Sequence, residues 1–594
     1  MKKLLALSLA LILVLALFAG CAKNEATNTG TTASTPASSS GNAGTSSGSS
    51  SGSSSGSDAS TEPEDTGFTP NPPLDWPEYP ASDVTQDLLP YYDIVATTKS
   101  LPLCGEKTTF SAWWPMGASQ FLTNFNDAAS IQEMENRTNI HIDYFQPSTT
   151  EMTTAFPLMV ASNDYTDMVF YAGLYTGGGD KAIADGVFIR LNELIDEYAP
   201  NYDFIRNYTE DGRKMTVTSA GTIWSFYNVC FENMPGYMGL NMRKDFMERC
   251  GLTERPVTID DWDHYLDVMY HGIDEAEYAL AIPPSGVTRH SAFTSAWGIG
   301  SEWYQKDGKA LYGPAQPEFR NYVQLMHDWY EKGYIRSDFF GVAPDNYNWD
   351  ITWEEYGKGK CVAADGSNCF GSMLAQYGND DAYGIAIRQP VLQKGDEIHI
   401  RYDQGVVNKG VSNAEQLAIT TACKNPELLV SWVDYRYTYE GYKLLYYGIE
   451  GLTYIEDQPH HILITDHVVN NPDGVSPFQY LGKYTASILQ CSVSDYTNGW
   501  CFLDPAYAEE ITVWGQDKCD HNYPNIDLLT AEDGAEFSSL YQDIDTYISE
   551  TVPKYIIGAI SMDKFDDFTN KIKSMGIDRC IELKQAALDD YNAR

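Results

Sequence analysis

Basic residues are scarce in this chain of 594 residues, in which 39 Lys and Arg stand against 82 Asp and Glu and give a formal net charge of −43. Binding to nucleic acid requires clustered Lys and Arg that neutralise phosphates, so no nucleic-acid partner is expected. Electrostatic attraction to anionic lipid headgroups is not expected for the same reason. The acidity favours solubility at an exposed surface over a dedicated cation-binding role.

The sequence also lacks the motifs of common enzyme and metal sites. It has no H-E-x-x-H and no Walker loop, and G-x-S-x-G occurs only inside a low-complexity Ser/Gly stretch near the N-terminus. The ten cysteines beyond Cys21 form no C-x-x-C pair of a zinc or redox site. Cys361/Cys369 and Cys491/Cys501 are candidates for short disulfide loops, with buried thiols as an equal alternative.

One short segment is rich in histidine. His460, His461, Asp466 and His467 are candidate metal ligands, but a solvated loop is the preferred interpretation because no supporting residues are evident. Carboxylates are so numerous that a pair at glycosidase spacing has no meaning from sequence alone. We therefore expect no catalytic residue, no metal and no cofactor.

The N-terminus has the layout of a secretory signal. Met1–Lys3 is basic, Leu4–Phe18 is an almost unbroken apolar run too short to span a membrane comfortably, and two small residues precede Cys21. The segment resembles a bacterial lipoprotein signal, which implies removal of residues 1–20 and attachment of lipid to Cys21. The alternative is an ordinary secretion signal with an incidental cysteine. Either way, the protein is expected outside the cytoplasm.

A long polar segment follows Cys21. Its Ser, Thr, Gly and Ala residues cannot bury enough apolar surface to offset the entropy lost on ordering. We therefore predict that residues 21–75 form a lipid anchor and a flexible tether. About 50 such residues have an end-to-end distance of roughly 40 Å as a random coil.

The first part of the folded region alternates strands with helices. The predicted strands are 108–114, 140–145 and 167–171, and the predicted helices are 126–138 and 153–161. Such alternation indicates a parallel sheet covered on both faces, and ligands of such sheets bind beyond the carboxyl ends of the strands. This places Trp113, Trp114, Tyr171 and the Gly177–Gly179 turn near any cleft.

Several spaced motifs resemble the extracellular solute-binding proteins of ABC importers, most closely the family 1 lipoprotein type of Firmicutes. The sequence A-S-N-D-Y-T-D at 161–167 corresponds to A-S-G-D-x-P-D, and G-V-F-I-R-L-N-E-L-I-D-E-Y-A-P at 186–200 also fits the family pattern. The most specific match is N-P-E at 425–427 through Y-G-I-E-G at 447–451, where we predict one long helix. The resemblance covers about residues 105–594.

The resemblance implies an α/β, two-lobed, type II periplasmic-binding-protein-like fold, with a mixed sheet and flanking helices in each lobe and extra C-terminal helices. The expected boundaries are 76–228 for the first segment of lobe 1, 229–410 for the first segment of lobe 2, 411–450 for the return to lobe 1, and 451–594 for lobe 2 and the C-terminal helices. It also implies a monomer that delivers a solute to the transmembrane subunits of an ABC permease.

Aromatic residues make up 13% of the chain. Flat rings stack on the apolar faces of sugars while Asp and Asn bind hydroxyls, so such residues orient a polar ligand in a cleft. The candidate ligand-binding residues are Trp113, Trp114, Tyr171, Tyr175, Trp224, Tyr227, Trp297, Trp303, Asp365 and Asn368. Any single aromatic residue more often packs in a core, but several of this set are expected to reach the cleft. Trp114 and Tyr171 lead because they end predicted strands.

These features predict a lipid-anchored binding protein on the extracellular face of the membrane that captures a polar solute, preferentially an oligosaccharide, for an ABC importer. The alternatives are a surface glycan-degrading enzyme and a peptide-binding or sensory protein. The enzyme would require an acid pair supported by a motif, and the sequence shows none.

Overall fold

The computed structural model describes one compact unit within residues 63–594. The described residues are 77–87, 100–117, 119, 121–230, 238–288, 291–340, 354–367, 370–379, 381–401, 410–475, 477–485, 491–494, 505–526 and 528–594. No helix in these ranges is both long enough and apolar enough to span a lipid bilayer. The predicted signal sequence, Cys21 and the predicted tether lie outside the described residues.

The strands are β1 (Ala81–Asp87), β2 (Thr108–Trp113), β3 (Ile140–Phe145), β4 (Met168–Phe170), β5 (Phe226–Cys230), β6 (Met238–Arg243), β7 (Leu280–Ala281), β8 (Trp303–Lys306), β9 (Lys309–Tyr312), β10 (Ala363–Ser367), β11 (Gly384–Ile387), β12 (Gly410–Ile419), β13 (Tyr454–Gln458), β14 (His461–Thr465) and β15 (Val493–Ser494).

The α-helices with both ends described are α1 (Ala129–Thr138), α2 (Met152–Ser162), α3 (Gly178–Ala184), α4 (Asn192–Tyr198), α5 (Pro200–Tyr208), α6 (Glu210–Met215), α7 (Lys244–Arg249), α8 (Ile259–Gly272), α9 (Pro284–Thr288), α10 (Phe319–Glu331), α11 (Phe370–Tyr377), α12 (Pro426–Tyr435), α13 (Tyr439–Tyr446), α14 (Asp466–Val469), α15 (Pro477–Thr485), α16 (Pro505–Trp514), α17 (Ala531–Ile556), α18 (Phe565–Ser574) and α19 (Ile577–Ala593).

The first lobe contains a six-stranded mixed sheet in the order β15-β5-β12-β4-β2-β3. Its strands β3, β2 and β4 are parallel, as the sequence predicts, whereas β12 is antiparallel to both of its neighbours. Asp167 fixes the register where β4 begins, because its carboxylate accepts hydrogen bonds from the amide of Ser111 at 2.7 Å and from its hydroxyl at 2.8 Å. The predicted helices 126–138 and 153–161 are also present, as α1 and α2.

The second lobe contains a four-stranded sheet in the order β11-β6-β10-β7 and the separate hairpin β8-β9. The helices α17 and α18 pack on this lobe, and Ile544 and Phe568 share its core with Trp262 and Trp329. The predicted α/β fold with two mixed sheets and added C-terminal helices is therefore confirmed.

Within the described residues, consecutive elements change from one lobe to the other three times before α19. These passages lie between Cys230 and Met238, between Arg401 and Gly410, and between Ser494 and Pro505. The third passage, after Ser494, comes later in the chain than the expected return to the second lobe at residue 451. The hairpin β13-β14 buries its apolar face in the core of the first lobe, and β15 extends the sheet of that lobe by pairing with β5.

The long helix predicted from residue 425 is two helices, α12 and α13. Asn425 caps α12 by accepting a hydrogen bond from the amide of Leu428, and Pro426 lies in the first turn as predicted. Thr438 then adopts an extended backbone and caps α13 through the amide of Gly441 at 3.0 Å. Both helices are buried on nearly all sides, so hydrophobic periodicity cannot show the break between them.

Helix α19 connects the two lobes. Ile577 at its start belongs to the core of the second lobe, whereas Tyr591 near its end belongs to the core of the first. The hydroxyl of Tyr591 donates to the carboxylate of Asp211 at 2.5 Å. The guanidinium of Arg594 donates to the carbonyl of Val217 at 2.8 Å. The end of α19 is therefore attached to the first lobe.

Candidate ligand site at the junction of the lobes

The lobes meet where two glycines face each other. Gly177 of the first lobe has φ 99°, a left-handed conformation that glycine adopts without strain, and it precedes α3. Gly534 lies in the first turn of α17, and a Cβ atom on it would stand 3.3 Å from the Cα atom of Gly177. The glycine turn predicted to lie near a cleft therefore contacts the opposite lobe.

The first lobe contributes two half-buried tyrosines, of which Tyr175 adjoins the glycine turn by accepting a hydrogen bond from the amide of Gly178 at its carbonyl. Tyr171 follows β4 with φ 62°, and its ring packs edge-on against Phe170. The hydroxyl of Tyr175 donates to the Oδ2 atom of Asp185 at 2.5 Å, and Lys181 pairs with the same carboxylate. Burial and this hydrogen bond raise the pKa of Tyr175, so the residue is a neutral phenol with a fixed orientation. Both side chains keep part of their surface exposed.

Trp224 packs against the glycine turn at Gly179. Its indole is stacked on Phe188 with ring centroids 5.9 Å apart, and Tyr175 packs edge-on against the same phenylalanine. A Cβ atom added to Gly179 would stand 2.2 Å from the indole of Trp224. The structure thus brings two predicted site residues, Tyr175 and Trp224, together through their shared contact with Phe188.

Four of the predicted aromatic ligand-binding residues, all in the first lobe, are almost fully buried. The exposed fractions are 1% for Trp113, 2% for Trp114, 2% for Trp224 and 3% for Tyr227. Trp113 packs on Phe156 on one face of the sheet, whereas Trp114 stacks on the other face. In this structure all four rings contact protein atoms and stabilise the first lobe, so their predicted contact with a ligand stays a prediction.

The second lobe contributes an aromatic cluster that continues from Gly534 along α17. Trp303 on β8 is half-buried, with its ring centroid 5.7 Å from those of both Phe537 and Tyr541 and 4.8 Å from that of Tyr312. The ammonium group of Lys584 lies 5.8 Å from the Trp303 ring. The sequence prediction named Trp303 but missed Phe537 and Tyr541, whose spacing of four residues places them on one side of a helix.

The other predicted residues of the second lobe lie around Tyr322 or outside the described residues. The ring of Trp297, which is half-buried, lies 6.5 Å from that of Tyr322. Asp365 is fully buried on β10, opposite Leu240 of β6. Burial raises the pKa of Tyr322, and the nearby Asp365 carboxylate raises it further. Asn368 lies outside the described residues.

A crevice of about 350 Å³ also separates the lobes. Asp211 and Met215 line it from the first lobe, and Gln305, Asp520 and Asn522 line it from the second. The end of α19 forms a further wall. Its lining is rich in carboxylate and amide groups, which hydrogen-bond the hydroxyls of a polar ligand.

The chain resembles sugar-binding proteins of known structure. The fructooligosaccharide ABC transporter substrate-binding protein FusA of Streptococcus pneumoniae serotype 4 (strain ATCC BAA-334 / TIGR4) is 22% identical over 508 residues, which cover 79% of this chain and 88% of FusA. The alginate-binding protein AlgQ2 superposes with a TM-score of 0.67 at 20% identity, and FusA in complex with kestose with a TM-score of 0.64 at 18% identity. Each match covers 82% of this chain and 99% of the other.

The fold is that of the two-lobed solute-binding proteins. No protein-family model matches the chain, so the predicted membership of family 1 stays a prediction.

Two of the similar structures raise the question of a calcium site, because an EF-hand is a calcium-binding loop. AlgQ2 is described without calcium ion, and one FusA structure is an EF-hand mutant. The sequence of this chain nowhere contains the EF-hand pattern D-x-[DN]-x-[DN]-G. Its residues therefore do not fit an EF-hand loop, and we assign no calcium site of that kind.

Proposed function

We propose that this protein captures an oligosaccharide outside the cell and delivers it to the transmembrane subunits of an ABC importer. The observation that carries the proposal is a two-lobed solute-binding fold with aromatic side chains of both lobes beside the Gly177–Gly534 contact. FusA, named for fructooligosaccharides, favours a sugar over other polar solutes. An enzymatic role has no such support, because the similar proteins are substrate-binding components of transporters.

The proposed sugar-binding surface consists of Tyr171 and Tyr175 on the first lobe and Trp303 and Phe537 on the second. All four rings are half-buried, so each is held in place by packing while part of it stays accessible. Rings of this kind contact the apolar faces of a sugar at a low cost in side-chain entropy. Carboxylates such as Asp185 accept hydrogen bonds from hydroxyl groups.

Ligand capture follows from the two-lobed arrangement. A solute that contacts both lobes binds the closed form more tightly than the open form and shifts the population toward it by that difference in affinity. The Gly177–Gly534 contact supports this mechanism, because glycine at 534 allows a close approach of the two backbones, and even a Cβ atom there would stand only 3.3 Å from the Cα atom of Gly177. The closed form is then the form presented to the permease.

We also propose that Cys21 carries the lipid and that the Ser/Gly-rich tether holds the lobes near the membrane. The lipoprotein-like signal supports this anchoring, and an ordinary secretion signal is the alternative. An anchored protein stays at high local concentration beside its permease. A monomer is sufficient for this role.

The test is calorimetric titration of the purified chain with kestose, alginate oligosaccharides and a set of peptides. We expect one sugar class to bind and to be recovered intact. Tyr175→Ala and Trp303→Ala should each weaken its binding at least tenfold, about 1.4 kcal/mol. Tyr208→Ala is the matched control, because Tyr208 is a half-exposed aromatic residue on α5.

Three results would contradict the proposal. Cleavage of the sugar would support a glycan-degrading enzyme, and binding of peptides alone would support a peptide-binding protein. If the protein binds the sugar but deletion of its gene leaves sugar uptake by the cells unchanged, a sensory role would be supported. Melting curves of each variant separate loss of ligand contact from loss of folding.

A further inference from the structure

Two histidines and an aspartate lie together on the second lobe. One ligand atom from each of His399, Asp520 and His521 lies within 4.8 Å of the other two. The Nδ1 atom of His399 is 2.9 Å from the Oδ1 atom of Asp520. The two imidazole rings face each other with centroids 4.6 Å apart. The proposed sugar-binding surface includes none of these three residues.

Backbone hydrogen bonds hold the cluster in place. The amide of His521 donates to the carbonyl of His399 at 3.1 Å, and the amide of Gln305 on β8 donates to the carbonyl of His521 at 2.8 Å. A further bond joins the amide of Lys518 to the carbonyl of Ile398 at 3.0 Å. Two segments distant in sequence are thus fixed side by side, so their ligand atoms can converge without backbone movement.

A second carboxylate faces the far side of His399. The Nε2 atom of His399 is 3.7 Å from the Oε2 atom of Glu397, which also binds the ammonium group of Lys518 at 2.8 Å. At 3.7 Å this contact is longer than a hydrogen bond, but Glu397 lies on the side of His399 from which an outer carboxylate could, after a small side-chain rotation, fix the tautomer and orientation of a ligating histidine.

The other histidine-rich segment does not have this arrangement. His461 contacts Asp457 within the β13-β14 hairpin, and the Nε2 atom of His467 is 2.7 Å from the hydroxyl of Tyr484. Among the described residues, His399, Asp520 and His521 form the group with the spacing of metal ligands. The sequence-based expectation of no metal did not consider these three residues.

We propose that His399, Asp520 and His521 bind a transition-metal dication of the zinc class. Imidazole and carboxylate together suit Zn²⁺, Cu²⁺ and Ni²⁺, whereas Ca²⁺ prefers a shell of six to eight oxygen atoms. Tetrahedral bonds of about 2.1 Å place ligand atoms about 3.4 Å apart, a spacing that side-chain rotation can reach here. Three protein ligands leave a fourth position for water or another group.

The position of the site gives the metal a structural effect. His399 precedes the passage of the chain from Arg401 to Gly410 into the first lobe, and Asp520 lines the crevice that faces Asp211 of the first lobe. A bound ion joins these two segments of the second lobe and orders one wall of the crevice.

The test is calorimetric titration of the purified chain with ZnCl₂ after removal of metal with EDTA. We expect one equivalent of Zn²⁺ to bind, and His399→Ala and His521→Ala should each weaken binding at least tenfold. Glu397→Gln should weaken it by about tenfold through the orientation of His399. His264→Ala is the matched control, because His264 is exposed on α8 outside the cluster.

The d–d absorption of bound Co²⁺ provides a second measurement and should be lost in both histidine variants. Absence of Zn²⁺ binding, or binding that persists unchanged in both variants, would overturn the proposal, as would preferential binding of Ca²⁺. If an alanine variant fails to fold, Asp520→Asn decides the question, because that side chain is largely exposed and its replacement preserves shape. Neither measurement involves an oligosaccharide, so failure of the proposed function leaves the outcome unchanged.

Discussion

Replacing Gly179 by alanine should destabilise the first lobe. The added Cβ atom would stand 2.2 Å from the indole of Trp224, about 1.3–1.8 Å closer than the roughly 3.5–4.0 Å of ordinary van der Waals contact. The indole is 2% exposed and stacked on Phe188, so it cannot retreat without disturbing the core. Overpacking of this kind costs about 1–3 kcal/mol of unfolding free energy.

Denaturant unfolding of the Gly179→Ala variant measures this loss. Ligand affinity should fall as well, because α3 must shift and α3 begins next to Gly177, which touches Gly534 of the opposite lobe. The matched control is Gly482→Ala in α15, where the new methyl group meets open space. Alanine is favoured over glycine in a helix, so this control should gain about 0.5–1 kcal/mol.

A second variant isolates the clash itself. Trp224→Phe alone should destabilise by leaving a cavity, but it also makes room for the methyl group of Gly179→Ala. The double variant should therefore lose less stability than the sum of the single variants. A Gly179→Ala protein as stable as the wild type, or strict additivity in the double variant, would refute the reasoning.

Three further predictions concern other parts of the chain. Arg594→Ala removes charge-assisted hydrogen bonds to the first lobe and should lower the unfolding free energy by about 1–2 kcal/mol in denaturant titrations. Burial raises the pKa of Glu456, but hydrogen bonds led by the one from Lys443 outweigh burial and hold it below its usual value of 4.5. Glu456 therefore stabilises the fold above pH 4.5 and loses that contribution as the pH falls through its folded pKa, so Glu456→Gln should flatten the acid-induced loss of stability. Cys21→Ser should release the protein into the medium with ligand binding intact, and loss of binding would contradict the separate roles of anchor and lobes.

The fold could be predicted wherever the sequence has a clear period and a motif. Alternating apolar residues predict β3, apolar residues predict β2 as a buried strand and β4 as the next one, and the N-P-E motif correctly places the start of α12. The sequence does not show the break between α12 and α13 at Thr438. Both helices are buried, so apolar residues occur on every side and give no change of period. The sequence also does not indicate the third passage between the lobes, after Ser494, because no motif marks residues 463–525.

The candidate site was less predictable than the fold. Trp113 and Trp114 end a strand, where ligands often bind, but sequence alone cannot show that both rings turn into cores on opposite faces. The close approach of Gly534 to Gly177 depends on how two lobes pack, which no local pattern encodes. The cluster of His399 with His521 joins residues that are far apart in sequence, so only tertiary structure brings it together.

Helix α19 makes this chain suited to use as a sensor of its own ligand. Its 17 residues form a rod about 25 Å long that starts in the second lobe and ends on the first. A change in the angle between the lobes must therefore bend the rod, turn it, or detach Tyr591 and Arg594. A fluorophore placed beside Tyr591 would convert that movement into an optical signal, whereas a bulky tag at the same place would hinder it.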